Sequence, residues 1–96
     1  MKIFGHKMFE IEYLETIATR VFKSITPDIK MVIKRAIEER LRSNPALFGK
    51  PLRGSLRQHY RLRIEDYRVI YRIDFGTNIV TSIAIGHRRT IYDDYK

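Results

Sequence analysis

The sequence predicts an α+β domain in the order β-α-α-β-β-β, an antiparallel-dominated sheet with an αα-hairpin packed on one face. Three observations carry this. From Tyr60 to Ile73 apolar and polar residues alternate with period two in two runs, Tyr60, Leu62 and Ile64 against Arg61, Arg63 and Glu65, then Val69, Tyr71 and Ile73 against Arg68, Ile70 and Arg72. The break at Glu65-Asp66 makes the two runs a hairpin. From Leu14 to Leu41 apolar residues recur instead at helical spacing, interrupted by Thr26-Pro27. Finally, Ile79, Thr81, Ile83 and Ile85 alternate with Val80, Ser82 and Ala84, a strand apolar on both sides that belongs in the middle of a sheet. With 96 residues, 44% hydrophobic and 31% charged, the chain builds one core and not two. A single domain over residues 1–96 is expected, residues 1–7 being a dispensable extension if Met8 is an alternative start.

Taken in order, Phe9-Glu-Ile-Glu-Tyr13 alternates as a half-exposed first strand, its outward Glu10 and Glu12 able to neighbour the basic strands. Leu14, Ile17, Ala18, Val21 and Phe22 form the apolar stripe of a short helix that Ser24-Ile25 ends. Thr26-Pro27-Asp28 starts a second helix with a hydroxyl N-cap, a proline whose missing N–H costs nothing at the first position, and an acid in the positive first turn. Ile29, Val32, Ile33, Ala36, Ile37 and Leu41 form its buried stripe, and Asn44-Pro45 stops it. Residues 48–56, with two glycines and a proline, read as a loop into the hairpin. Asp74-Phe-Gly-Thr-Asn78 is the next turn, and Gly86 to Tyr92 leaves the last strand. Both helices lie on one sheet face. The other is expected to be uncovered and to carry the arginines, because side chains at i and i+2 of a strand share a face.

A net charge of +8 and a pI near 10 imply an acidic partner, namely nucleic acid, an anionic surface or an acidic protein. Five of those eight charges lie between Lys50 and Arg72, where Lys50, Arg53, Arg57, Arg61, Arg63, Arg68 and Arg72 face only Glu65 and Asp66. Four guanidinium groups on one sheet face repel each other unless an anion lies among them. The absence of cysteine excludes disulfide and thiolate chemistry and suits a reducing cytoplasm. No apolar run approaches the roughly 20 residues of a membrane span, and the first eight residues lack the apolar core of a signal peptide. A cytoplasmic protein without a membrane partner is expected. His6, His59 and His87 lack metal-ligand spacing, so neither a metal nor a cofactor is expected.

Gly49-Lys-Pro-Leu-Arg-Gly-Ser-Leu56, Tyr60-Arg-Leu-Arg63, Asp66-Tyr-Arg-Val-Ile-Tyr71, Ile85-Gly-His-Arg-Arg89 and Ile91-Tyr92, in that order and spacing, resemble the RelE/ParE toxin superfamily. Within it they are closest to the RelE-type branch of messenger-RNA-cleaving toxins from bacterial type II toxin–antitoxin pairs. The resemblance runs from the first strand to Tyr92. It implies a RelE-like fold and a metal-independent endoribonuclease that cuts messenger RNA in the ribosomal A site by 2′-OH attack. The partners it implies are a cognate antitoxin, the ribosome and mRNA. It also implies that Arg68 contacts the transition-state phosphate, that Arg88 is a second phosphate-stabilising arginine, and that Tyr92 stands near the nucleophile. Arg61 and Arg63 fall where the best-known member carries two lysines, one implicated in proton transfer. Arginine binds phosphate well but is a poor proton acceptor, so acid–base work moves elsewhere. Tyr92, His87 and His59 are the groups left for it.

Lys50, Arg53, Arg72, His87 and Arg89 complete the expected RNA contacts. No aromatic stacking platform is legible beside the strand arginines, which leaves base positioning to the ribosome. Two other readings share the basic hairpin: a ParE-type poison of DNA gyrase, and an inactive relative that only binds antitoxin or nucleic acid. The Gly-His-Arg-Arg end with Tyr92 favours cleavage over both. The antitoxin is expected to dock an amphipathic, partly acidic segment. Residues 91–96, short and polar, are expected to be mobile without RNA.

Overall fold

A computed structural model of the protein describes residues 8–92, so the proposed extension over residues 1–7 and the tail over 93–96 lie outside the described residues. One sheet contains β1 (Glu10–Tyr13), β2 (Lys50–Pro51), β3 (Tyr60–Ile64), β4 (Tyr67–Asp74) and β5 (Ile79–His87), in the order β1-β5-β4-β3-β2. Only β1 pairs in parallel, with β5; the other three pairings are antiparallel. The apolar strand is therefore internal, and the α+β class with an antiparallel-dominated sheet is found. Glu10 and Glu12 lie beside β5, which separates them from the basic strands.

The first helix, α1, departs from its expected stripe. Ile17–Val21 is wound as a π-helix and continues into Phe22–Ser24, with the Phe22 N–H donating to the Ile17 carbonyl five residues back. A π turn brings i+5 rather than i+4 onto one face. Ile17 and Phe22 are accordingly buried, while Leu14 and Ala18 turn outward. Phe22 is fixed edge-on against Tyr13, with ring centroids 5.3 Å apart.

The second helix, α2 (Pro27–Leu41), starts as the sequence indicates, with Thr26 Oγ1 accepting from the Ile29 N–H at 3.3 Å. It buries Ile33, Ala36, Ile37 and Leu41. Val32, expected in that stripe, is 45% exposed and lines an open groove between α2 and the β3–β4 turn. The segment read as loop after Asn44-Pro45 contains a further short helix, α3 (Pro45–Phe48), and the edge strand β2. A proline that stops one helix is equally suited to the first position of the next.

Gly49 joins α3 to β2 directly above Tyr71, whose buried hydroxyl donates to the Pro45 carbonyl and whose ring stacks on Tyr60 at 5.5 Å. A Cβ at Gly49 would overlap that hydroxyl and approach the Arg61 carbonyl oxygen at 3.1 Å. Gly49→Ala is expected to cost about 1–3 kcal/mol, the usual range for overpacking, read as a lower denaturation midpoint.

The main core lies between the helices and the sheet: Ile17, Phe22, Ile33, Ile37 and Leu41 meet Leu62, Ile64, Val69, Tyr71, Val80 and Ile85. Two phenols in it make an alkaline prediction. Burial, with Glu38 beside it, pushes Tyr13 up to about 12 from its usual 10.0, and burial pushes Tyr71 up further. Above pH 10 the unfolded chain releases protons that the folded one retains, so stability falls as pH rises through about 12. Melting at pH 8 and pH 11 should show that loss, and Tyr13→Phe should reduce it.

The opposite face is not bare, contrary to the sequence reading. Leu56, from the 3-10 turn Gly54–Leu56, packs there with Ile70 and Ile91, flanked by Leu52, Ile83, Ala84 and Tyr92. A bulge supplies the room: Ile70 pairs with Ala84 and Tyr71 with Ser82, so Ile83 is the extra residue. Ile91 is buried and Tyr92 half-buried, which overturns the expected mobility for these two residues; the rest of that segment lies outside the described residues.

Candidate active site

Strand register places the arginines. Arg63 pairs with Arg68, Arg61 with Ile70 and Lys50 with Arg61, while Leu62 and Val69 pair on the helix side. Lys50, Arg61, Arg63 and Arg68 therefore share the face turned away from the helices. Continuing across β5, Arg68 stands opposite Gly86. Two residues on, the Arg88 N–H donates to the Asp66 carbonyl at 2.8 Å and its Nε lies 3.6 Å from Asp66 Oδ1, tying the end of β5 to the hairpin turn.

The chain then folds back across the sheet. The Thr90 and Ile91 N–H groups both donate to the His87 carbonyl, at 3.0 and 2.9 Å. Ile91 thereby covers Gly86 so closely that a Cβ there would lie 2.9 Å from Ile91 Cδ1. Tyr92 follows, near enough for its phenol to act on the charge of Arg68.

Arg68 is only 8% exposed, and its Nη1 donates to the Glu65 and Tyr67 carbonyls, each at 2.8 Å. Glu65 takes a left-handed φ of 53°, uncommon for a non-glycine residue, at the turn that supplies one of these acceptors. Burial first, then Arg63 and Arg61, and more weakly Arg88, lower the Arg68 pKa from its usual 12.5, with Tyr92 acting the other way. Two guanidinium groups about 5 Å apart repel by about 3 kcal/mol at an effective dielectric constant of about 20. The two carbonyl bonds, roughly 1.5–3 kcal/mol each, offset that and hold the side chain in place. Two further donors in this region, Arg61 Nε and the Tyr92 hydroxyl, are buried with no hydrogen-bond partner. Buried donors of this kind call for an acceptor.

The remaining expected residues are dispersed. Arg53 and Arg89 are exposed, on the loop after β2 and on the turn after β5. Arg72 shares the arginine face but lies four residues along β4 from Arg68, about 13 Å, with buried Ile70 between. His87 does not join the arginines. It pairs with Tyr67, which packs on the helix-side core, and its ring meets Tyr67 edge-on at 5.8 Å. Its Nδ1 accepts from the Arg89 N–H at 3.2 Å, which corrects its expected place in the site. His59 is also apart, its Nδ1 donating to the Arg57 carbonyl at 3.3 Å.

Sequence reasoning missed Gly86, Ile91 and Asp66, which position the site without doing chemistry. The signal available was Gly86, an isolated glycine in an apolar strand, which marks close approach of another segment. Among the described residues no three His, Asp or Glu side chains gather as a metal site, and no helix is long and apolar enough to cross a membrane.

A family model described as the ParE toxin of type II toxin–antitoxin systems (parDE) matches residues 14–92. Toxin RelE of Mycobacterium tuberculosis is 44% identical over 52 residues, a match spanning 54% of either protein, so only about half of that toxin's length is represented. Toxin RelG of the same organism is 32% identical over 77 residues, 80% of this chain and 88% of that toxin. Among solved structures, a chain of the toxin–antitoxin complex RelBE2 from Mycobacterium tuberculosis superposes with a TM-score of 0.79 at 27% identity, covering 85% of this chain and 93% of that one. The arginine-lined sheet and these matches together place the chain in the RelE/ParE superfamily of type II toxin–antitoxin toxins.

Proposed function

We propose that this toxin is a metal-independent endoribonuclease that cleaves messenger RNA in the ribosomal A site. The observation that carries this reading is the strand register that gathers Arg61, Arg63 and Arg68 on one face, with residues 88–92 folded onto it and two donors left without partners.

The reaction forms a bond between the 2′-oxygen and the adjacent phosphorus and breaks the bond to the 5′-oxygen. It leaves a 2′,3′-cyclic phosphate and a 5′-hydroxyl. One proton leaves the 2′-OH and one reaches the departing 5′-oxygen. Negative charge builds on the phosphorane in between, where fixed guanidinium groups act most strongly because their N–H pairs match two phosphate oxygens. Arg68 is held by the hairpin turn, so it does not have to reorganise as that charge develops, and the backbone bond from the Arg88 N–H to the Asp66 carbonyl brings Arg88 to the same end of the sheet. Arg61 and Arg63 add binding and charge but cannot take a proton. Tyr92, whose phenol stands near Arg68, is the group to which proton transfer falls.

The solved relative is a toxin–antitoxin complex, which supports a cognate antitoxin as the protein partner. A basic face of this kind suits an acidic antitoxin segment. The ribosome as the site of action implies the cytoplasm.

The test is purified protein added to programmed ribosomes with an end-labelled message. Cuts at the A-site codon that end in 2′,3′-cyclic phosphate are expected. Tyr92→Phe should slow cleavage by about two to four orders of magnitude, the range of general acid–base assistance. The family model, described for a parDE toxin, favours a second reading as a gyrase poison. Intact messages together with inhibited gyrase supercoiling would replace the first reading with that one, and no effect in either assay would leave an inactive binding module.

A further inference from the structure

At the end of the sheet away from the hairpin turn, β4 outruns β3. Tyr60, the first residue of β3, pairs with Tyr71, so the last three residues of β4 have no partner on that side. The notch left there, about 510 Å³, is lined by Gln58, His59, Tyr60, Arg72, Ile73 and Phe75.

Its two aromatic rings are braced from behind. Phe75 is 61% exposed, yet Phe9 holds it edge-on with centroids 6.1 Å apart. Tyr60 is stacked on Tyr71 at an interplanar angle of 18°. The cation has one acidic neighbour, Asp74, whose carboxyl is held below the usual carboxylate range by the Thr77 and Gly76 N–H groups and, less strongly, by Arg72. Arg72 makes no ion pair among the described residues, and the Asp74 carboxylate nearby is engaged by the Gly76 and Thr77 N–H groups at 2.9 and 3.1 Å. Gln58 is held at φ 72°, a strained conformation for a non-glycine residue, and its amide offers a donor and an acceptor on one group.

We propose that this notch binds an unpaired nucleotide of the RNA strand, with the base against Phe75 and Tyr60, its edge read by Gln58, and the phosphate on Arg72. The proposal rests on the endoribonuclease reading. It gives the protein the stacking platform that the strand arginines alone lack, at the far end of the strand that carries Arg68: Arg72 comes from the arginine face, and the Tyr60 ring, stacked on Tyr71, from the helix side of the sheet edge. Rings that stack a base and a guanidinium that takes the phosphate are the standard means of holding single-stranded nucleic acid. A protein segment fits less well, because the notch is lined by only six residues and two of them present aromatic rings.

The probe is 5′-AMP, titrated into isotope-labelled full-length protein and followed by NMR. Saturable shifts at Gln58, Tyr60 and Phe75 are expected; Phe75→Ala should weaken binding by about five- to a hundredfold, the span of stacking contributions per base, and Arg72→Ala by about ten- to a hundredfold, the span of a charge-assisted hydrogen bond. Arg68→Ala should leave that affinity unchanged. On ribosomes, Arg72→Ala should raise KM and leave kcat as it was. Shifts confined to the Arg61, Arg63 and Arg68 cluster overturn the proposal. So does the same response to inorganic phosphate as to AMP, and so does protection of the notch by an antitoxin segment when AMP has no effect. If AMP binds the notch and no message is cut, the enzyme reading fails and the nucleotide site stands. If messages are cut with unchanged KM and a silent notch, the site alone fails.

Discussion

Arg68→Ala lowers the rate of A-site cleavage by about two to three orders of magnitude, the cost of removing one preorganised donor from a developing oxyanion. The side chain is the least exposed of the strand arginines, anchored on Glu65 and Tyr67 and bordered by Arg63, Arg61, Arg88 and Tyr92. The fold should survive. The substitution frees the Glu65 carbonyl in the turn and the Tyr67 carbonyl at the start of β4 and removes packing by the arginine stem, all destabilising, but it also relieves repulsion from the neighbouring guanidinium groups. A net change within about 1 kcal/mol, or a few degrees in midpoint, is expected. Arg68→Lys should recover little of the rate, because an ammonium cannot hold both carbonyls and still present parallel N–H groups to a phosphate. Single-turnover cleavage on programmed ribosomes, with a thermal melt of each variant, measures both quantities. Cleavage by the alanine variant at the wild-type rate would remove Arg68 from the chemistry and with it the proposed mechanism.

The sequence made the arginine face legible because two strands of strict period two, joined by a two-residue break, leave one natural register. That register sets Arg63 against Arg68. The α2 start was legible because Thr26 and Pro27 act locally on the backbone. Features that depend on distant parts were not. The bulge at Ile83 lies in a strand apolar on both faces, where inserting one residue leaves no mark on the pattern. It nevertheless reverses which face each later side chain takes. Thr81 lies opposite Arg72 on the arginine face, whereas Ile85 lies in the helix-side core, and His87 follows Ile85. The site of His87 was thus lost to a shift two turns of the pleat earlier. The π winding of Ile17–Val21 is similar, since burial of both Ile17 and Phe22 selects it over the i+4 pattern. The notch was hidden for another reason: its residues come from the entry to β3, the end of β4 and the turn beyond, and only strand lengths bring them together.

Gly86→Ala, a single added methyl with no charge, is expected to lower cleavage by about a hundredfold, the loss that a displacement of about 1 Å causes at a reacting centre. Its Cβ would project onto the arginine face beside Arg68, 2.9 Å from Ile91 Cδ1 and 3.6 Å from Ile91 Cβ. The closest atom is the far end of a side chain, so the turn can yield, at a stability cost of about 1 kcal/mol, the low end of overpacking. In yielding it carries Tyr92 with it, because the residues are adjacent and the described backbone bonds of the turn stop at the Ile91 N–H. The effect should therefore appear in kcat rather than in the midpoint. Ile91→Val removes the colliding Cδ1 atom, so adding it to Gly86→Ala should restore most of the rate, while Ile91→Val alone should change little. A double variant as slow as Gly86→Ala would show that the glycine serves the backbone of β5 instead. Rescue would show that the distance between Tyr92 and Arg68 sets the rate, which a purely charge-binding face would not require.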